Sequence, residues 1–186
     1  MSSTPLPPIE RSVSVSWDQE TAFQRFTVRL GSWWPVRTHS VGGNRLQKVV
    51  FEPGVGGRIY EEHQDGRRFQ WGRVLDWDPP RRVKFTWHPS RDPSTAQEVE
   101  VTFAPEGTGT RLLLVAAGWE KWGPKAARAR KGYSVGWAYV LNVWAGRRTH
   151  QMVLMDAIIA VLGFVQKLRG GADAEIARAR GEIPAD

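Results

Sequence analysis

Two periods of hydrophobic residues divide the chain. From 47 to 118 apolar residues recur at every second position, and on either side they recur at helical spacing. The segment 9–16 opens the chain's order with an alternation: Ile9, Val13 and Val15 on one side, Glu10, Ser12, Ser14 and Ser16 on the other, with Arg11 the exception on the apolar side. This predicts a half-buried strand. Phe23, Phe26 and Leu30 then fall at helical spacing, and Ser16 with Gln19 fits a capping box. Gly31 is expected to end this helix. Pro35 biases Trp34 away from helix, so 31–42 (GSWWPVRTHSVG) reads as an irregular connector or a short broken helix. The two adjacent tryptophans then point different ways, one into the core and one over an entrance.

Strands follow at QKVVFEP, RIYEEH, RRFQWGRVLDW, RRVKFTWH, EVEVTF and TRLLLVAAGW. Gln64-Asp65-Gly66, Asp78-Pro79-Pro80 and Glu106-Gly107-Thr108-Gly109 supply the turns between neighbours. With the first strand this makes about seven, an antiparallel meander. After Gly123-Pro124 the helical period returns: Tyr133, Trp137, Val140, Leu141 and Trp144 form one stripe at about 100° per residue. That helix is expected to lie across the concave face of a bent sheet. The class is α+β, and a sheet closed in this way tends to enclose a cavity for a small molecule.

Residues 149–168 form a further, almost wholly apolar helical segment, with Asp156, Ala160, Gly163 and Lys167 as its narrow small-or-polar stripe. Such a helix must bury two sides. It is expected either on the outer side of the long helix, near Val135, Tyr139 and Val143, or at a homodimer interface. Its core is too short to span a bilayer. The expected organisation is a loose arm (1–8), one domain (9–147), the apolar helical extension (148–170) and a polar, partly helical tail (171–186).

Composition narrows the function. There is no cysteine among the 186 residues, which removes disulfides, thiolate metal sites and a cysteine nucleophile. The start of the chain carries no leader pattern, so the expected location is cytoplasmic. The net charge of +7 is mostly scattered arginine; KAARARK at 125–131 is the one dense cluster, and no nucleic-acid motif accompanies it. Nucleic acid is therefore not expected as a partner. No serine-histidine-aspartate set, phosphate loop or HExxH motif is present, and the four histidines stand in dissimilar contexts. No cofactor, metal or catalytic residue is predicted.

In order along the chain stand AFQRFT (22–27), WWP (33–35), FEPGVGGRIYE (51–61), WGRVLDWDPPRRVKFTW (71–87), VEVTF (99–103), GTR (109–111), GWE (118–120) and YSVGWAYVL (133–141). In these motifs the sequence resembles the heat-shock protein 90 ATPase activator homologue-like branch of the START-like (SRPBCC, birch-pollen-allergen) superfamily. The resemblance covers roughly 9 to 147. It implies a helix-grip fold, a seven-stranded antiparallel sheet around a long C-terminal helix, with an internal hydrophobic cavity for apolar molecules. It leaves three functions open: binding of an apolar or aromatic ligand, which leads; a cavity enzyme of aromatase/cyclase or lyase type; and a chaperone-activator-like interaction protein. The eukaryotic co-chaperone of the branch has a second domain for which this chain has no room, which counts against the third.

Candidate ligand contacts are Trp33, Trp34, His39, Trp71, Arg73, Trp87, Trp119, Tyr133 and Trp137. For each tryptophan a core plug is the competing reading, since core and cavity wall are one surface in this fold. Arg73 reaches into the barrel if Phe69, Trp71, Leu75 and Trp77 face inward, and is solvated if Gly72 and Val74 do. Glu61 and His63, two apart on one strand, read first as a cross-strand surface pair and second as a catalytic carboxylate and base. Arg58 and Glu120 read as a structural ion pair near a loop end.

Overall fold

The computed structural model describes residues 6–89, 91–147, 153–154, 157 and 182–183. Its elements are β1 (Ile9–Val15), α1 (Gln19–Phe26), the short α2 (Val36–His39), β2 (Leu46–Phe51), β3 (Arg58–His63), β4 (Arg68–Asp78), β5 (Arg82–Trp87), β6 (Gln97–Glu106), β7 (Gly109–Ala117), α3 (Ala126–Trp144) and a two-residue β8 (Glu182–Ile183). The sheet is antiparallel in the order β1-β7-β6-β5-β4-β3-β2, and β8 adds to β4. This is the helix-grip arrangement.

Strict alternation makes the central strands. Val83 and Phe85 of β5, Val99 and Val101 of β6, and Leu112, Leu114 and Ala116 of β7 are all buried. They meet in register as Val83↔Val101, Phe85↔Val99, Val101↔Leu114 and Val99↔Ala116, so each layer of the inner face is a row of apolar cross-strand pairs. The outer face carries charge, with Lys84 bridging Glu98 at 2.7 Å. The stripe of α3 closes the inner face. Trp144 packs edge-on to Trp17 at 5.3 Å, and Trp137 meets Trp87 at 5.2 Å.

The start of the chain departs from expectation in three places. Asp18, rather than Ser16, caps α1: its Oδ1 accepts the Thr21 N–H at 2.7 Å. The helix stops at Phe26, and Leu30–Ser32 is a separate tight turn. Glycine is still needed at 31, because a Cβ there would fall 2.5 Å from the Val49 carbonyl oxygen of β2. Residues 6–8 are tied down, since Leu6 packs on the core and Arg130 donates to the carbonyls of Pro7 and Pro8.

β4 mixes both readings of its phase. Trp71 and Leu75 are extra residues at two register shifts, one against β3 and one against β5. Each bulge turns the strand by one residue. The inward series is therefore Phe69, Trp71, Val74 and Trp77, with steps of two, three and three. Arg73 falls between the bulges and is exposed, donating to the Gly56 carbonyl at 2.8 Å. It does not enter the interior.

Arg58 pairs with Glu52 at 3.1 Å rather than with Glu120. The apolar extension falls largely outside the described residues, as does its expected packing near Val135, Tyr139 and Val143; Val153, Leu154 and Ala157 are helical, and Val153 and Leu154 are exposed. In the expected polar tail, Glu182 and Ile183 form a strand against Phe69 and Arg68.

Candidate functional site

The first half of α3 does not press flat on the sheet. Between it, the β5–β6 connection and the residues just after α2 lies an open cleft of about 1110 Å³. Trp34, Trp87 and Trp137 form its floor, and Tyr133 and Trp122 stand at one side. The room comes from small residues on α3. Ala129, Gly132 and Gly136 line the cleft one helical turn apart, where side chains at i, i+3 and i+4 share a face. Two glycines inside a helix cost roughly 1 kcal/mol each relative to alanine. What they provide is an open wall.

Five of the nine candidate contacts line this cleft: Trp34, His39, Trp87, Tyr133 and Trp137. Trp71 is behind them, fully buried against Trp34 (5.1 Å) and Trp87 (5.6 Å). Trp119 is likewise buried behind Tyr133, at 5.3 Å. Trp33 turns the other way. It packs on Phe26 and donates its indole N–H to the Arg25 carbonyl. The adjacent rings do diverge, but the buried one, Trp34, is both core and cleft floor. Arg73 is on the far face.

The site also holds residues that the hydrophobic pattern passes over: Arg91, Asp92, Trp122, Lys125 and Arg128. They come from loops and from the exposed side of α3, where periodicity carries no signal. The visible signals were the basic run KAARARK at 125–131, which holds Lys125 and Arg128, and the paired helical glycines beside the aromatic stripe.

His39 is held on three sides. Its ring stacks on Tyr139 at 5.0 Å, meets Trp34 edge-on at 6.3 Å, and shares a hydrogen bond of 2.7 Å between Nδ1 and the Thr38 hydroxyl. Nε2 faces Gly136, 3.6 Å from where a Cβ would stand. Burial lowers its pKa from 6.5 to about 4, so the imidazole is neutral near pH 7. Burial also lowers His88 and pushes the Tyr133 phenol up, with Arg91 opposing the latter.

The sign of the resulting pH dependence is fixed. Between pH 6.5 and 4.5 the unfolded chain takes a proton at position 39 and the folded chain does not, so stability falls as pH falls. The loss attributable to His39 reaches up to about 3 kcal/mol at the acid end. We expect His39→Asn to flatten the decline in urea-unfolding free energy across that window; an unchanged slope would place the titration elsewhere.

Glu61 and His63 form a buried pair, not a surface one. Both side chains are almost wholly inaccessible, and His63 Nε2 is 2.7 Å from Glu61 Oε1. The other carboxylate oxygen accepts from the Ser40 hydroxyl and the Val41 N–H, each at 2.9 Å. Ser40 and Val41 line the cleft, so Glu61 ties that wall to the sheet. Glycine is required at 42, since a Cβ there would fall 2.1 Å from His63 Nε2. Among the described residues no three of His, Asp and Glu converge as metal ligands, and no helix is long and apolar enough to cross a membrane.

A sheet wrapped on a long helix with a cleft at its open end defines a START-like helix-grip protein. The chain belongs to the family described as Activator of Hsp90 ATPase homolog 1-like protein, whose sequence profile matches residues 17–143. Among solved structures it is similar to an anthrahydroquino-γ-pyrone synthase, with 36% identity over 70% of this chain and 88% of that one, at a TM-score of 0.49. A Mesorhizobium loti protein is 23% identical, covering 75% and 94% of the two chains, with a TM-score of 0.53. A Bacillus halodurans protein is 20% identical, covering 77% and 96%, also at 0.53. The latter two share the fold. Comparison with curated proteins finds no significant match.

Proposed function

We propose that the protein binds a small aromatic or apolar molecule in the cleft beside α3. The observation that carries this reading is the floor itself: Trp34, Trp87 and Trp137 lie within 5.2–5.6 Å of a neighbouring ring and face open space of about 1110 Å³. Flat rings at fixed positions give large contact area with little rotamer entropy to lose. His39 on this wall is no base at neutral pH, because burial lowers its pKa to about 4, and the reading therefore rests on the aromatic floor rather than on a catalytic histidine.

A neutral dye tests the reading. Nile red should brighten on the native protein and quench its tryptophan emission. Gly136→Leu puts a side chain into the cleft and should weaken binding about tenfold or more, since it displaces a ligand from the aromatic wall. Gly136→Ala should bind nearly as the parent does, because its methyl meets His39 at ordinary contact distance. Near-ultraviolet dichroism of each variant verifies the fold. Equal binding by the leucine variant would move the ligand elsewhere.

A further inference from the structure

The cleft's polar groups are unbalanced. Arg91, Lys125 and Arg128 all line it and are exposed, and among the described residues none of the three forms an ion pair with a carboxylate. Arg91 lies over the Trp122 ring, its guanidinium carbon 4.2 Å from the centroid, which places the cation at the wall. Two wall rings, Trp122 and Trp137, have buried N–H donors with no acceptor.

Two acceptors on the same wall are already engaged. Asp92 Oδ1 takes the Ser94 N–H at 2.9 Å, inside its own turn. Ser40 Oγ donates to Glu61 and accepts the N–H groups of Gly42 and Gly43. Three cations against one carboxylate leave the wall at +2, counting Arg91, Lys125 and Arg128 against Asp92. A neutral hydrocarbon would use none of this. A ligand bearing anionic oxygen beside a ring would use both halves, the ring on the tryptophans and the oxygen among the donors.

We propose that the cleft selects a planar aromatic acid, with its carboxylate read by Arg91, Lys125 and Arg128 at the mouth. This rests on the cleft-binding reading above and adds the ligand's charge to it. No helix cap or metal is needed for it, because the cations stand on the β5–β6 connection and on successive turns at the start of α3.

The probes are 2-naphthoate and its neutral amide, 2-naphthamide, titrated by tryptophan quenching at low and high salt. Wild type should prefer the acid by about tenfold at low salt, the worth of roughly two partly screened charge contacts. The preference should shrink at high salt and be lost or reversed in the Lys125→Glu/Arg128→Glu double variant, which takes the wall from +2 to −2 and whose fold near-ultraviolet dichroism verifies. Affinity for the amide should change far less than affinity for the acid. If wild type binds acid and amide equally, the charge reading falls and the cleft reading stands. If it takes up neither naphthalene nor Nile red, both fall. If the double variant keeps the acid preference, Lys125 and Arg128 do not read the charge and the assignment to this cationic wall is wrong.

Discussion

Trp34→Ala should lower the stability of the protein by about 4 kcal/mol, near the middle of the range for deleting a buried aromatic ring. The ring is 7% exposed and touches Trp71 at 5.1 Å, Trp87 at 5.6 Å and Trp33 at 5.7 Å. Its neighbours are themselves rigid and packed, so little can collapse into the hole. The indole N–H donates to the His39 carbonyl at 2.8 Å, which fixes the end of α2, and its loss adds about 1 kcal/mol. Trp34→Phe keeps most of the volume and loses the donor, so its cost should be roughly half. Urea unfolding followed by dichroism measures both: the midpoint should fall with the slope unchanged. A loss under 1 kcal/mol in the alanine variant would mean that the aromatic floor is not packed as described.

Glu61→Ala comes next, at about 3–5 kcal/mol, the range for breaking a buried polar pair from one side. The substitution leaves three donors facing nothing: His63 Nε2, the Ser40 hydroxyl and the Val41 N–H. The imidazole cannot turn to water, being 2% exposed and packed at a tilt on Phe69 at 4.3 Å. Ser40→Ala removes one donor to Glu61 and the acceptor of the Gly42 and Gly43 N–H groups but leaves the Val41 N–H on the carboxylate, and should cost less, about 1–2 kcal/mol. The distinguishing sign is local. Amide exchange at Val41 should speed up in Glu61→Ala beyond what global destabilisation explains, because this carboxylate is what holds residues 40–41 to the sheet. Exchange that merely tracks global stability would deny it that tethering role.

Where one period runs unbroken, the sequence was sufficient. β5, β6 and β7 alternate without a shift, and the stripe of α3 keeps helical spacing from Tyr133 to Trp144, so strands, helix and closure could all be read. β4 shows where such reading stops. Two bulges alter its phase, so each of the two parity assignments holds for part of the strand, and Arg73 lands outside although Trp71 faces in. Nothing local marks the extra residues; the partners β3 and β5 impose them. Glu61 and His63 illustrate a second limit. Their spacing says that they share a side of β3, but burial is decided by 40–43 folding over them, a contact distant in sequence. The KAARARK run displayed Lys125 and Arg128 as a dense basic cluster, but its place on the cleft was hidden for the same reason. Arg91 and Lys125 line one cleft only because the β5–β6 connection and the start of α3 both border it.

The tryptophan floor also makes the protein its own spectroscopic instrument. Trp34, Trp71, Trp87 and Trp137 stand in a chain of ring-to-ring distances between 5.1 and 5.6 Å, at mutual tilts of 46–72°. Chromophores this close and this skewed share their excited states. Their coupled transitions add to the far-ultraviolet dichroism, so helix content taken from that spectrum alone will be misjudged. The same coupling funnels excitation towards the cleft, and a bound molecule that absorbs there will quench emission from rings it does not touch.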